Sequence, residues 1–404
     1  MNTYIPKPFV DASSGLSITG DFPTGSAGEI RTLGEDAYEI LPKPEPVPDW
    51  FFEALQVNFG GAGVPREYAF HVRAVSKDAR RVKLRFRFTE TNGAGYMDPP
   101  YWVRRRGRWQ KAPASDVFFA SREYCDIEID LAENEPVQIA NKPYMELDEV
   151  DWEVDEIVSS FPFFSQRIFG STAEGRPLVV LETEPREEKI LVHATMQPAE
   201  PAAEPILAIA HWLGDRSQRA NRLLERFQFC LIPLPNPDGS FHGRSVTNGE
   251  GEVPMFSFGR HLEGASAPVE TRALWDYVSD IKPTGFIEFH THYQGTRFHK
   301  LNPISLDWFP EEMHDRVTET NASLLRVNDQ WRVTELTPET PIVTAGKFVN
   351  LASHFGTIGY CYQIYSPTIE ATCTQAIAAT DALACGLAGE AWRKESRAPE
   401  IVPG

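Results

Sequence analysis

The residues of this chain that can do chemistry sit at the ends of two apolar runs. Residues 189–200, KILVHATMQPAE, form an apolar stretch followed by a short turn that closes on a carboxylate, Glu200. A second run, residues 285–289, leads into His290, Thr291 and His292. A glutamate and a histidine delivered from two strand ends are two of the three N/O ligands that a catalytic Zn²⁺ takes, the fourth position being left for water. The third ligand is expected three residues before Glu200, and that residue is Gln197. A neutral carboxamide is a poor zinc ligand. The functional reading turns on whether Gln197 is a loss, a swap or irrelevant.

These residues need strands to position them. The runs KILVHA, FQFCLIPLP, GFIEFHTH and GYCYQIYS are nearly continuous in apolar residues, the pattern of buried parallel strands. Helical stretches lie between them: Ile206, Ile209, Ala210 and Leu213 follow helical spacing, and residues 270–278 and 376–392 also read as helix. Strand and helix alternation predicts a doubly wound α/β domain over residues 153–404. Residues 1–152 read differently. Period-two alternation at 70–75 and 82–88, a further strand at 126–130, and turn-formers such as NGAG at 92–95 and Pro99-Pro100 predict an antiparallel β-sandwich. The acidic segment 146–156 marks the boundary as a solvated charge run. In α/β sheets, ligands gather at the carboxyl ends of strands. His193, the 197–200 turn, the NPDG turn at 236–239, His290 to His292 and Gln363 to Tyr365 all follow apolar runs on that side, so they are expected to converge on one cleft.

A chain of 404 residues is long for one core, and 42% apolar with 24% charged residues is globular composition. The net charge of -18 disfavours nucleic acid and anionic membrane as partners. No basic and apolar leader opens the sequence, and no run has the length of a membrane span. Five cysteines without CxxC spacing suit reduced, buried thiols and a cytoplasmic protein.

Several motifs in order resemble the zinc metallocarboxypeptidase family: Gly170 to Leu178 (GSTAEGRPL), the NPDG turn after the FCLIPLP run, residues 268–274 (PVETRAL), and His290. The N-terminal region, with Asp49-Trp-Phe-Phe52 and Asn141-Lys-Pro-Tyr144, is similar to the cytosolic carboxypeptidase branch. The resemblance implies an α/β doubly wound mixed sheet of the zinc carboxypeptidase type preceded by a β-sandwich. It also implies Zn²⁺ and a peptide or amide-bearing small-molecule substrate. The branch's metal motif His-Pro-Gly-Glu reads Gln197-Pro198-Ala199-Glu200 here, giving Gln197, Glu200 and His290 as metal positions, with His292 matching a His-x-His pattern. The general-base position falls on Gln363, and a carboxamide cannot take a proton from zinc-bound water. Glu370 reads instead as a helix-start carboxylate near Thr368.

Substrate contacts implied by the resemblance fall on Asn236, Asp238, Arg260 and Tyr365, with Arg244 and Arg260 as catalytic arginines. Arg244 is slightly displaced from the family register, which gives Val246, and Arg260 has Gly259 where the family has asparagine. Three readings follow. One is a divergent or degenerate member keeping the site to bind a peptide or small ligand. Another is an active zinc peptidase or amidohydrolase with a non-standard ligand and a base recruited from His193, His292 or Glu370. The last is acyl transfer without the standard metal site. Two amide replacements, at metal and base, favour the first.

Overall fold

The computed structural model describes residues 9–11, 13–51, 53, 67–89, 100–120, 123–294, 298–338, 346–390 and 392. The expected NGAG turn and Phe52 lie outside them. The chain clusters into two units. The first comprises Met1–Leu147, Gln197–Glu200 and Asp238–Glu252, and the second comprises Asp148–Met196, Pro201–Pro237 and Val253–Gly404.

The first unit holds two sheets. One runs in the order Phe9–Asp11, Leu16–Thr19, His71–Ser76, Val137–Ala140, Trp102–Arg105, Arg108–Lys111, and its pairings are antiparallel. The other runs Ile30–Gly34, Ala37–Ile40, Arg80–Arg87, Tyr124–Leu131, Val117–Ala120, with one parallel pairing between Ala37–Ile40 and Arg80–Arg87. The alternation read from sequence is the alternation of burial: Val82, Leu84 and Phe86 face inward while Lys83, Arg85 and Arg87 are half-buried. Ile127 and Ile129 stand opposite Leu84 and Val82, so one apolar face continues across the pair.

The second unit is built on an eight-stranded mixed sheet. Its order is Ser165–Ser171, Pro177–Glu182, Phe227–Ile232, Glu188–Ala194, Gly285–Thr291, Ile358–Ile364, His299–Pro303, Trp331–Val333. The four central strands are mutually parallel, and they are the four apolar runs singled out in the sequence. Antiparallel pairings flank them on both sides. Every residue of Phe227–Ile232 and Gly285–Thr291 is buried, which is why these strands do not alternate. The helix Ile369–Leu387 packs on the helices Ala203–Gly214 and His314–Leu325 and on the strand Gly285–Thr291. It approaches so closely at Gly386 that a Cβ there would stand 2.5 Å from the Thr320 Cα.

The acidic segment lies almost wholly in a helix, Leu147–Ser160. Its carboxylates face solvent, but Val150, Val154 and Ile157 make a buried stripe. The C-terminal helix starts earlier than its alanine content suggests, because Thr368 caps it by accepting from Ala371 N–H at 3.1 Å. All five cysteines are buried and free, and burial pushes the thiols of Cys125, Cys230 and Cys385 up to about 12. Among the described residues, no helix is long and apolar enough to cross a membrane.

Candidate active site

In the second unit, strand register builds a polar row across the sheet. His290 pairs with Gln363, Gln363 with Lys300, and Lys300 with Arg332. Residues directly opposite on paired strands project to the same face, so these four share one face. Beyond this row the His292 ring stacks on Tyr365, with centroids 4.3 Å apart and planes at 14°. The Tyr365 hydroxyl donates to Gln363 Oε1 at 3.2 Å, and Lys300 Nζ lies 4.9 Å from the Tyr365 ring centroid. Tyr365 is further fixed through its N–H, which donates to His299 Nδ1 at 3.1 Å. His290 and Gln363 in the row, and His292 and Tyr365 beyond it, thus lie on neighbouring strand ends.

Two residues before His290, Glu288 is completely buried. A buried carboxylate needs partners. It has three: Lys347 Nζ ion-pairs with Oε2, His290 Nε2 lies 2.9 Å from Oε1, and His193 Nε2 lies 3.7 Å from Oε2. None of the four side chains is more than 2% exposed. Burial alone would raise the Glu288 carboxyl, but Lys347, His290 and His193 outweigh it and hold the group below its ordinary range. Burial, assisted by the Lys347 charge, pushes His193 down to about 3, so its ring is neutral at physiological pH. The sequence signal for Glu288 was a lone charge in an apolar run; nothing local pointed to Lys347 as its partner.

In the first unit, the turn Gln197–Glu200 closes through Glu200 N–H to the Gln197 carbonyl at 3.0 Å and is anchored by Ala199 N–H to the Ser245 carbonyl at 3.2 Å. Ala199 is fully buried and is not among the residues with positive φ, so alanine costs no backbone strain there. Gln197 is half-buried. Glu200 is 3% exposed and accepts from the Tyr68 hydroxyl at 3.1 Å. The Asn141-Lys142-Pro143-Tyr144 motif builds the wall behind it. Asn141 donates to the Tyr68 carbonyl at 2.7 Å and accepts from the Tyr144 hydroxyl at 3.1 Å. Lys142, also buried, is pushed down to about 8 by burial while the Glu200 charge pulls it back up.

The other anticipated residues are each held by contacts of their own. Asn236 donates to the Met196 carbonyl at 2.9 Å and so holds the strand end that leads to Gln197. Asp238 is fully buried. Arg244 is half-buried, and its N–H donates to the Gly239 carbonyl at 2.9 Å. The neighbouring N–H groups of Ser245, Val246 and Thr247 converge instead on the Glu45 carboxylate, at 2.6, 2.8 and 2.6 Å, with the Thr247 hydroxyl at 2.7 Å. Arg260 lies half-buried on the short helix Phe258–Leu262 with Gly259. Glu370 is exposed in the first turn of its helix, as read.

These residues do not fit a three-ligand zinc centre. Gln197 offers only a neutral oxygen, and Glu200 already carries the Tyr68 hydroxyl beside a buried lysine. Among the described residues, no group of three or more His, Cys, Asp or Glu is arranged to hold a metal ion.

Comparison with known proteins supplies the family context. Residues 152–252 match the family model of the zinc carboxypeptidases. A cytosolic carboxypeptidase 6 of Caenorhabditis elegans is 21% identical over 250 residues, covering 58% of this chain and 52% of that protein, so the chain spans about half of this relative. The metallo-carboxypeptidase of Burkholderia cenocepacia superposes with a TM-score of 0.74 at 17% identity, over 93% of this chain and 99% of that one. The Pseudomonas aeruginosa metallo-carboxypeptidase, solved with (2-guanidinoethylmercapto)succinic acid, gives 0.70 at 15% identity, over 91% and 98%. Family segment and fold bear out the resemblance: residues 152–252 are similar to the zinc carboxypeptidases, part of the chain is similar to a cytosolic carboxypeptidase, and the fold is that of the metallo-carboxypeptidases.

Proposed function

We propose that this chain is a divergent metallocarboxypeptidase relative that binds a peptide or amide-bearing small molecule without ordinary zinc-peptidase turnover, in the cytoplasm. Gln197 stands in the metal position, Gln363 in the general-base position. The observation that carries the reading is Gln363. It pairs directly with His290, and its carbonyl oxygen accepts from Tyr365. A carboxamide so placed can orient a ligand but cannot accept the proton that hydrolysis must move. Loss of general-base help costs roughly 10²–10⁴ in rate.

A second reading, an active hydrolase with a non-standard ligand and base, is favoured by the carboxylate on His290. Metal-bound histidines commonly carry a carboxylate on their other ring nitrogen. The discriminating experiment assays C-terminal peptide hydrolysis after zinc incubation for the native chain and for Gln197→His combined with Gln363→Glu. Turnover gained only by the double variant supports the divergent reading. Turnover by the native chain overturns it.

A further inference from the structure

We propose that the backbone amides of Ser245, Val246 and Thr247, with the Thr247 hydroxyl, form a carboxylate-binding cradle, and that the Glu45 side chain is its tethered ligand. The inference does not depend on whether the candidate site hydrolyses its ligand or only binds it.

Successive N–H groups turned to one point make a concavity for an anion. Here that point is the Glu45 carboxylate. Ser245 N–H donates to Oε2 at 2.6 Å, and Val246 N–H, Thr247 N–H and the Thr247 hydroxyl donate to Oε1 at 2.8, 2.6 and 2.7 Å. These are the short distances of bonds to an ionised acceptor. Glu45 is 8% exposed, and among the described residues no side chain forms an ion pair with it. Lys43, two residues earlier, turns its ammonium to the His242 carbonyl at 2.5 Å instead. Backbone dipoles therefore meet the charge. Burial raises the Glu45 carboxyl above its ordinary range against the pull of the four donors. The three N–H groups can only donate, so the cradle is complementary to the ionised form.

The ligand arrives on a segment shaped like a docked peptide. Glu45 lies in Leu41–Pro48, LPKPEPVP, where Pro44 and Pro46 flank it and favour an extended backbone. The loop 242–251 meets this segment at Lys43, at Glu45 and at Pro46. Gly251 has a φ of +82°, and a Cβ there would stand 2.8 Å from Pro46 Cγ, so glycine leaves the room the segment needs. Ser245 carries the contact onward. Its carbonyl accepts from Ala199 N–H at 3.2 Å, and its hydroxyl accepts from the Tyr68 and Ala69 N–H groups at 3.0 Å each. Filling the cradle thus fixes the residue on which the Gln197–Glu200 turn is anchored.

The test is chemical rescue in the full chain. Glu45→Ala removes the carboxylate and its Cγ, the atoms that acetate would replace. The variant and the native chain are unfolded by heat at pH 7 in acetate, in chloride of equal ionic strength, and in acetamide. The variant's midpoint should rise with the logarithm of acetate concentration and should not rise in chloride or acetamide. The native chain, whose cradle is filled, should show no rise specific to acetate. Where the variant does not fold in chloride, its recovery on dilution from urea is compared in the same solutions, and recovery in acetate alone supports the cradle. Equal behaviour in acetate and chloride overturns the proposal, as does no recovery in any solution. Acetamide as effective as acetate, or an acetate effect as large on the native chain, overturns it too.

Discussion

Lys347→Met isolates the charge balance beneath the site. Glu288 is fully buried and Lys347 is 1% exposed, so the change strands a carboxylate with no full cation beside it. Breaking a buried pair in this way costs about 3–5 kcal/mol. The carboxyl can escape by taking a proton, which sets a ceiling. From its ordinary value of 4.5 to pH 7 is about 2.5 units, and at about 1.36 kcal/mol per unit the ceiling is about 3.4 kcal/mol. At pH 5 the same arithmetic leaves about 0.7 kcal/mol. The loss relative to the native chain is therefore expected to be about 3 kcal/mol at pH 7 and to shrink below about 1 kcal/mol at pH 5. Replacing both partners, Lys347→Met with Glu288→Met, should return the stability to within about 1 kcal/mol of the native chain, because an apolar pair of similar volume does not need solvation. Urea denaturation of the three proteins at both pH values reads these differences. A single-variant loss that is small at pH 7, or that does not change with pH, would refute the reasoning.

Other parts of the fold give sharp expectations. Glu45→Ala orphans three buried N–H groups and a hydroxyl, so it should cost at least about 3 kcal/mol in thermal unfolding; a loss under about 1 kcal/mol would contradict the contacts described. His71 and His193 are both pushed down to about 3, chiefly by burial. With folded values below the ordinary 6.5, the unfolded chain protonates first as pH falls, so their stabilisation is full above about 6.5 and is lost from there toward 3. The urea midpoint should fall between pH 7 and pH 5, and His71→Phe should reduce the slope by about one proton; a flat profile would count against both burials. Gly386→Ala places a methyl against the Thr320 backbone and should destabilise by about 1–3 kcal/mol, measured by calorimetry; no change would mean the helices are less closely packed than described.

Much of the second unit's sheet was legible because continuous apolar runs encode buried parallel strands directly. The runs at 188–194, 227–232, 285–291 and 358–364 became its centre. The alternation at Arg80–Arg87 was equally readable, since one half-exposed face writes itself into a period of two. The helix Leu147–Ser160 was hidden, because a narrow stripe of Val150, Val154 and Ile157 is outnumbered by carboxylates. In the site, the order of His290 and Gln363 was in the sequence, but the register that puts them side by side is a long-range pairing. Glu288 went unread although it is a charge in an apolar run, and Lys347 carried no signal at all, because a lysine at a helix start looks like any surface lysine until a buried carboxylate is found beside it. Asn236 and the 245–247 amides show the same limit. Their partners, the Met196 carbonyl and Glu45, are set by the fold and not by neighbours in sequence.

The most direct test of the account is the zinc content of the purified chain after incubation with zinc and exhaustive dialysis. The donors at Gln197, Glu200 and His290 predict far less than one zinc per chain, with no loss in His290→Ala beyond that trace. One tightly held zinc per chain, removed by His290→Ala, would contradict it.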